Sequence, residues 1–340
     1  MGLVIGTAGR LNAVLVLTRS DVKSLVSMSV AIELMKVAFG ELARGSAQSP
    51  LRTPLTVGDA VSLIMPAYVP SAHALGLKVV SVFPQNQRRA LPTISSLVTL
   101  LDDTTGQPIA IMDGGYLTAL RTGAVSGAAT DLLARRDSTV LTVIGAGAQA
   151  VTQLAAVCAV RPIERAMVVV RSEESGSRFR TALRNDWPDL HDLVEVTEDG
   201  PRAVQAAHVV CTATSSREPV FRDQDIQPGT HINGVGSFTP EMQEVPAATV
   251  RRATIVVDQL EPALEEAGDL IVPLRSGDIG PEHVTRELGH LVNGDASGRV
   301  TDEEVTFFKS VGNAVQDMVV ARSAFDAAMA SQVGQHVELI

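Results

Sequence analysis

The sequence predicts an α/β protein in two parts, a doubly wound parallel sheet and a smaller α+β domain. Three observations carry that prediction. The β-branched run "TVLTVIG" ends in glycines at 145 and 147 and leads straight into the helical pattern "AQAVTQLAAVCAV". From about residue 138 onward, short valine-rich runs alternate with helix-length segments, the rhythm of a parallel sheet with helices on both faces. Ahead of them, strand-like runs follow one another without long helices between them, which suggests an antiparallel sheet.

Taken in order, "AVLVL" (13–17) reads as a strand. Apolar residues at helical spacing follow in "TRSDVKSLVSMSVAIELMKVAFGELARG", with Ser20 or Ser29 as candidate caps. The runs "AVSLIMPAYV", "ALGLKVVSVFP", "SSLVTLLDD" and "PIAIMDG" are strand candidates separated by Gly, Pro, Asn and Asp. "YLTALRTGAVSGAATDLLA" reads as a helix that closes this region. Beyond "TVLTVIG", "RAMVVV" is a strand and "EESGSRFRTALRNDW" a helix, and "LVEVT", "HVVCTAT", "THINGVG" and "ATIVVD" continue the series. Their richness in valine suits strands buried on both faces. The tail "EVTFFKSVGNAVQDMVVARSAFDAAMA" reads as one long amphipathic helix interrupted near Gly312.

Composition bounds the function. The chain has 340 residues, 45% hydrophobic and 19% charged, so it buries a sizeable core and is not disordered. A net charge of −10 argues against nucleic acid or an anionic membrane as partner, because both are bound through Lys and Arg. It leaves room for a small anionic substrate held by local cations. Cys158 and Cys211 each sit in an apolar stretch and read as reduced packing residues. The stretch "MGLVIGTAGRLNAVLVLTRSDV" lacks the basic start of a signal peptide, and no apolar run reaches the ~18 residues of a membrane span. A cytoplasmic protein is expected. The histidines and carboxylates show no metal-ligand spacing, so no metal is expected.

The glycines at 145 and 147, with Ala150, match the Rossmann-type dinucleotide fingerprint. The first allows the tight turn, the second lets backbone approach a pyrophosphate, and the small third residue packs helix on strand. The helix start at Ala148 and Gln149 then offers unpaired N–H groups to phosphate. The competing use of such a turn is packing alone. The following strand ends "VVVRSEE". Arg171 and Ser172 there suit a ribose 2′-phosphate and favour NADP(H). Glu173 and Glu174, slightly later, leave NAD(H) open.

The blocks "PLRTPL", "LIMPAYV", "LGLKVVSVFP", "ALRTGAVSGAAT", "VIGAGAQA", "HINGVGSFTPEMQEV" and "FFKSVGNAVQDMVVA" occur in this order. Together they resemble the ornithine cyclodeaminase/mu-crystallin family from about residue 12 to 325. The resemblance implies NAD(H) or NADP(H) binding and hydride transfer between nicotinamide and an amino-acid Cα or imine carbon. It implies that Arg52 and Arg121 hold the substrate carboxylate, that Lys78 stands beside the reacting carbon, and that Met65 lines the substrate site. Thr212, Ala213 and Thr214 would lie along the dinucleotide, and Val235, Gly236, Ser237, Ser310 and Gly312 would approach the nicotinamide.

The residues agree in kind. Lys78 interrupts an apolar strand run, where a lysine is costly unless paired, and burial beside arginines would lower its pKa. The plain alternatives are an outward-facing lysine, a helix-surface arginine at 121, a loop arginine at 52 and a simple helix bend at "KSVG". Two departures matter. Where cyclodeaminases of the family carry an aspartate and a glutamate, this chain has Phe238 and Leu63. Ammonia elimination and ring closure need those carboxylates. The sequence therefore predicts an NAD(P)H-dependent reductase of a carboxylate-bearing imine, or an amino-acid dehydrogenase. A cyclodeaminase with catalytic NAD and a binding protein without turnover are the alternatives.

The expected domains are 1–128 completed by a helix at 313–340, for substrate and dimerisation, and 129–312 for the dinucleotide. Substrate is expected in the cleft between them. By resemblance the chain is a homodimer joined through the first domain's sheet.

Overall fold

The computed structural model describes residues 13–89 and 91–338. The first elements are β1 (Ala13–Leu17), α1 (Arg19–Leu25), α2 (Met28–Ala43), β2 (Thr53–Val57), β3 (Ala60–Val69), β4 (Ala74–Val82), β5 (Ile94–Leu101) and β6 (Pro108–Asp113). Then follow α3 (Gly114–Leu133), β7 (Val140–Ile144), α4 (Ala148–Val160), β8 (Arg165–Val169), α5 (Glu173–Asp186), β9 (Val194–Thr197), α6 (Gly200–Ala206), β10 (Val209–Thr212) and β11 (His231–Gly234). The last are α7 (Ala247–Arg252), β12 (Thr254–Val257), α8 (Leu260–Glu266), α9 (Gly268–Ser276), α10 (Leu288–Asn293), β13 (Thr306–Lys309), α11 (Ala314–Ser331) and β14 (Gln335–Glu338).

These residues fall into two compact units. One takes the chain up to Ser27, Ala47–Thr118 and the chain from Asp317 onward; the other takes Met28–Ser46 and Ala119–Gln316. The expected boundary at 128 lies inside α3, where the observed one falls after Thr118, and α2 groups with the second unit. Residues 1–12, 339 and 340, which the expected first domain and the reading of the chain's start include, lie outside the described residues.

The first unit is built on a mixed sheet in the order β14-β1-β6-β5-β4-β3-β2. The pair β1 and β6 is parallel and the other neighbours are antiparallel. Helix α1 starts at Thr18, not at either serine, because Thr18 and Asp21 cap each other reciprocally. On the buried face, Gly76 of β4 lies so close to its neighbours that a Cβ there would stand 3.0 Å from the sulfur of Met318 and 2.1 Å from the carbonyl of Thr99. The other face is unusual for a water-facing sheet, with Leu55 53% and Leu97 46% exposed.

The second unit is a doubly wound sheet, all parallel, in the order β12-β13-β11-β10-β7-β8-β9. Alternate residues of each strand feed opposite cores. Val210, Ile232, Ile255 and Phe307 pack on one side, and Leu141, Val143, Val168 and Cys211 on the other. The chain leaves β7 toward β8 and β9, then returns to β10 on its other flank. That makes β7 the switch point, where ligands of such sheets bind.

One prediction fails here. The tail is not one long helix: Thr306–Lys309 is strand β13, paired between β11 and β12, and the helix starts only at Ala314. Phe307 and Phe308 are wholly buried between the two cores, which suits a strand. Gly312 is the turn between them, at φ +86. Nor is 313–340 a single helix, since Gln335–Glu338 returns as β14 beside β1.

Candidate functional site

The carboxyl end of β7 forms an anion seat. Gly145 has φ +111, and a Cβ there would lie 2.6 Å from the carbonyl of Ala213, so only glycine lets this turn pass the end of β10. Gly147 opens α4 without a side-chain cap, and a Cβ built on it meets nothing within 4 Å. The first amides of α4, at Ala148 and Gln149, therefore face open space at the positive end of a 13-residue helix. Gln149 Oε1, in the first turn of α4, and the Thr212 hydroxyl, at the end of β10, are buried with no protein partner. An open space over the first amides of a helix fits a dinucleotide's pyrophosphate.

At the end of β8, Arg171 is exposed. Ser172 caps α5, its Oγ accepting from the Ser175 amide at 3.3 Å. Glu173 and Glu174 pair with Arg180 and Arg178 of the same helix. The carboxylates that kept NAD(H) open are thus engaged along α5, and the guanidinium of Arg171 stands at the strand end.

The remaining loops are held by buried acids that the sequence reading missed. Glu244 is fully buried. Its Oε1 accepts from the Thr214 amide and hydroxyl at 2.6 and 2.8 Å, and its Oε2 from the amides of Gly236 and Ser237 at 2.8 and 2.9 Å. Asp269 accepts from the Glu244 amide at 2.6 Å and pairs with Lys309 Nζ at 3.0 Å, with neither side chain exposed. Burial pushes the Glu244 carboxyl above its ordinary range and Asp269 adds to this, while Lys309 and the Thr214 donors pull it back. Asp258 Oδ2 accepts from Ser310 Oγ and the amides of Val311 and Gly312 at 2.7, 3.0 and 2.9 Å. A signal existed: Glu244 and Asp258 interrupt or end apolar runs, "QEVPAATV" and "ATIVVD", where a buried charge needs partners.

Arg121 of α3 is 6% exposed. Its guanidinium donates to Gln316 Oε1 at 2.6 Å, and that oxygen also accepts from the Asn313 amide at 2.9 Å. A Cβ on Gly312 would stand 2.7 Å from the guanidinium, so this glycine lets the loop lie against it. Arg121 is therefore a buried, oriented cation rather than a helix-surface one.

In the first unit, Lys78 sits on β4 opposite Met65 of β3 and Val98 of β5. Lys78 is 1% exposed and Met65 4%, so the outward-facing alternative for the lysine is excluded. Its ammonium donates to Asp317 Oδ2 at 2.6 Å, and Asp317 is itself fully buried. The partner the sequence did not name is this carboxylate, buried with the lysine. Arg52 lies just before β2 and is half-buried. Leu63 is half-buried on β3 and Phe238 is 40% exposed in the loop after β11.

A cavity of about 300 Å³ lies elsewhere, lined by Arg135, Gln205, His208 and Gln227 at the amino ends of β10 and β11. Among the described residues no group of His, Cys, Asp and Glu is arranged to hold a metal, and no helix is long and apolar enough to cross a membrane.

The chain is similar to known proteins over nearly its whole length. A family model described as the ornithine cyclodeaminase/mu-crystallin family matches residues 12–332. A Δ1-pyrroline-2-carboxylate reductase of Bacillus cereus is 39% identical over 327 residues, covering 95% of this chain and 99% of the relative. The solved Δ1-pyrroline-2-carboxylate reductase of Thermococcus litoralis, in complex with NADH and L-proline, is 41% identical. It superposes with a TM-score of 0.90 over 95% of this chain and 100% of that one. An archaeal alanine dehydrogenase dimer with bound NAD gives 35% identity and a TM-score of 0.89, covering 96% and 100%.

Proposed function

The chain belongs to the ornithine cyclodeaminase/mu-crystallin family, and from that premise we propose that it is an NAD(P)H-dependent reductase of imines carrying a carboxylate. Lys78 carries the reading: a buried ammonium on Asp317, with Leu63 and Phe238 where a cyclodeaminase would need carboxylates. Without those groups the chain is equipped to protonate an imine that takes up a hydride, not to eliminate ammonia.

The roles follow from the chemistry of the side chains. Arg52 and Arg121 hold the substrate carboxylate; Gln316 and Gly312 fix the guanidinium of Arg121 for that purpose. Met65 gives the site an apolar wall. Lys78 gives its proton to the imine nitrogen, which makes the adjacent carbon electrophilic, and Asp317 orients the ammonium until water restores the proton. A bound nicotinamide supplies the hydride to the carbon next to the carboxylate. The C=N bond becomes CH–NH, one hydride and one proton richer.

Gly147 and the amides of Ala148 and Gln149 would hold the dinucleotide's pyrophosphate, with Thr212, Ala213 and Thr214 beside it. Val235, Gly236, Ser237, Ser310 and Gly312 lie toward the nicotinamide. NADP(H) is the preferred form, supported by exposed Arg171 and by Glu173 and Glu174 being engaged on α5. The chain forms a homodimer through the exposed apolar face of its first sheet, where Leu55, Leu97 and Val57 stand 46–57% exposed. Sedimentation as a monomer would remove that assignment. A cytoplasmic location is supported by two free thiols, both pushed up to about 12 by burial and so unreactive.

The test is a spectrophotometric panel: NADPH or NADH against pyrroline- and piperideine-2-carboxylate, and against pyruvate, glyoxylate and oxaloacetate with ammonia or methylamine. The reading expects at least one imine acid to oxidise NADPH faster than NADH. Ornithine converted to a proline-like product, with ammonia released and no net cofactor change, would show a cyclodeaminase instead. Cofactor binding without turnover of any substrate would show a binding protein.

A further inference from the structure

In this sheet the adenosine half of a dinucleotide goes toward β8, so the nicotinamide half lies over β10, β11 and β13. The ladder between β10 and β11 ends at Thr212 opposite Gly234, with one further bond from the Val235 amide to the Thr212 carbonyl. Beyond that point the two exit loops are joined by backbone bonds from the Gln243 amide to the Ser216 carbonyl and from the Val220 amide to the Glu244 carbonyl, and, nearest the strand ends, by the carboxylate of Glu244. We propose that Glu244 is a positioning residue for the nicotinamide half of the cofactor: it fixes the loops at 214 and 236–237 as one seat and leaves the adenosine half untouched. The proposal rests on the dinucleotide reading above.

Both oxygens of Glu244 are used in pairs, Oε1 by the β10 exit and Oε2 by the β11 exit. The loops therefore cannot separate without stripping a buried carboxylate of donors. The packing allows no slack. A Cβ on Gly236 would lie 2.2 Å from the Thr214 carbonyl, 2.4 Å from its nitrogen and 2.5 Å from Glu244 Oε1. The clamp is itself anchored to a third strand, because Asp269 accepts from the amides of Glu244 and Val245 and pairs with Lys309 at the end of β13. The seat of the reactive ring is thus built from rigid backbone before the cofactor arrives, which avoids ordering it on binding. By contrast, the first turn of α4 and the end of β8, which meet the pyrophosphate and the adenosine ribose, make no hydrogen bond to Glu244.

Glu244→Gln tests this in the full chain. An amide cannot accept through its nitrogen, so one pair of donors must face an N–H group. Dissociation constants are measured by titration calorimetry for NADPH and for 2′-phospho-AMP, which lacks the pyrophosphate bridge and the whole nicotinamide half, and in parallel for NADH and AMP. The expected result is that the variant weakens the complete cofactor by about tenfold or more and its fragment by less than about twofold. Equal losses for cofactor and fragment would mean a general structural role, and no loss for either would mean no role; both overturn the proposal. Should Glu244→Gln fail to fold, Thr214→Val removes one donor to Oε1 and keeps the amide bond. It should give a smaller loss, about threefold, again for the complete cofactor alone. Wild-type protein that binds neither pair of ligands overturns the dinucleotide reading, and this proposal with it.

Discussion

Replacing Asp317 by asparagine should do two separable things. Lys78 and Asp317 are 1% and 0% exposed and 2.6 Å apart, so the substitution removes the anion paired with a buried ammonium while keeping the shape. Breaking such a pair from one side costs about 3–5 kcal/mol, and because the amide oxygen still accepts a hydrogen bond, the low end, about 3 kcal/mol, applies. At about 2–4 °C per kcal/mol, the melting temperature should drop by about 6–12 °C. Imine reduction should fall with it, because Lys78 loses the carboxylate that orients its ammonium. The double variant Lys78→Met with Asp317→Leu removes both charges, and replacing a buried pair with apolar side chains is close to neutral or stabilising. It should recover most of the lost stability and none of the activity. Differential scanning calorimetry on the single and double variants, with activity on the same samples, makes the comparison. A drop under about 1 kcal/mol in Asp317→Asn, or a double variant no more stable than the single one, would refute the ion-pair argument.

Three further outcomes follow from the same geometry. Gly147→Ala should leave the melting temperature unchanged, since its Cβ meets nothing, yet weaken NADPH binding about tenfold or more by filling the phosphate approach; Gly145→Ala should instead destabilise the fold by about 1–3 kcal/mol through its positive φ and the clash at Ala213. Paired calorimetry and fluorescence titration distinguish the two. Arg171→Ala should cost about tenfold or more in kcat/KM with NADPH and little with NADH; an unchanged cofactor ratio would remove Arg171 from the site. His231 is buried, and desolvation, aided by Arg299, holds its folded pKa at about 3 against 6.5 in the unfolded chain. The unfolded state therefore takes up the proton first, so this contribution is complete above pH 6.5 and declines as pH falls toward 3. It should amount to about 2 kcal/mol of lost stability by pH 5. Melting curves of a His231→Asn variant between pH 7 and 5 should be flatter by that amount, and a slope equal to wild type would count against it.

Much of this was legible in the sequence, where chemistry and local pattern coincide. Gly145 and Gly147 sit between a β-branched run and a helical one, so the turn announced its own use. Lys78 stood out because its neighbours are apolar. What was not legible depends on partners far along the chain. Lys78 and Asp317 are 239 residues apart, and nothing local to either names the other. Glu244 and Asp258 stand in or at the end of apolar runs, but which donors they hold is set only when the sheet brings the ends of β10, β11 and β13 together. Strand β13 was hidden because "TFFKSV" is short and shows no alternation before the helical pattern begins, and Gly312 marks a strand-to-helix turn as readily as a bend. Strand β2 gave no alternation to read, since every residue in it is exposed. Ser20 and Ser29 were reasonable caps by type, but Thr18 won through its reciprocal bonds with Asp21.

In the proposed reaction hydride arrives at the carbon next to a carboxylate. Reduction of Δ1-pyrroline-2-carboxylate, or of whichever imine acid is turned over fastest, with NADPH deuterated at the nicotinamide 4-position tests it directly. Mass spectrometry of the product should find one deuterium at Cα, delivered from one face of the cofactor only, and Lys78→Met should lose this product while still binding the dinucleotide. Unlabelled product, or label passed back to the cofactor while ornithine releases ammonia, would contradict the account.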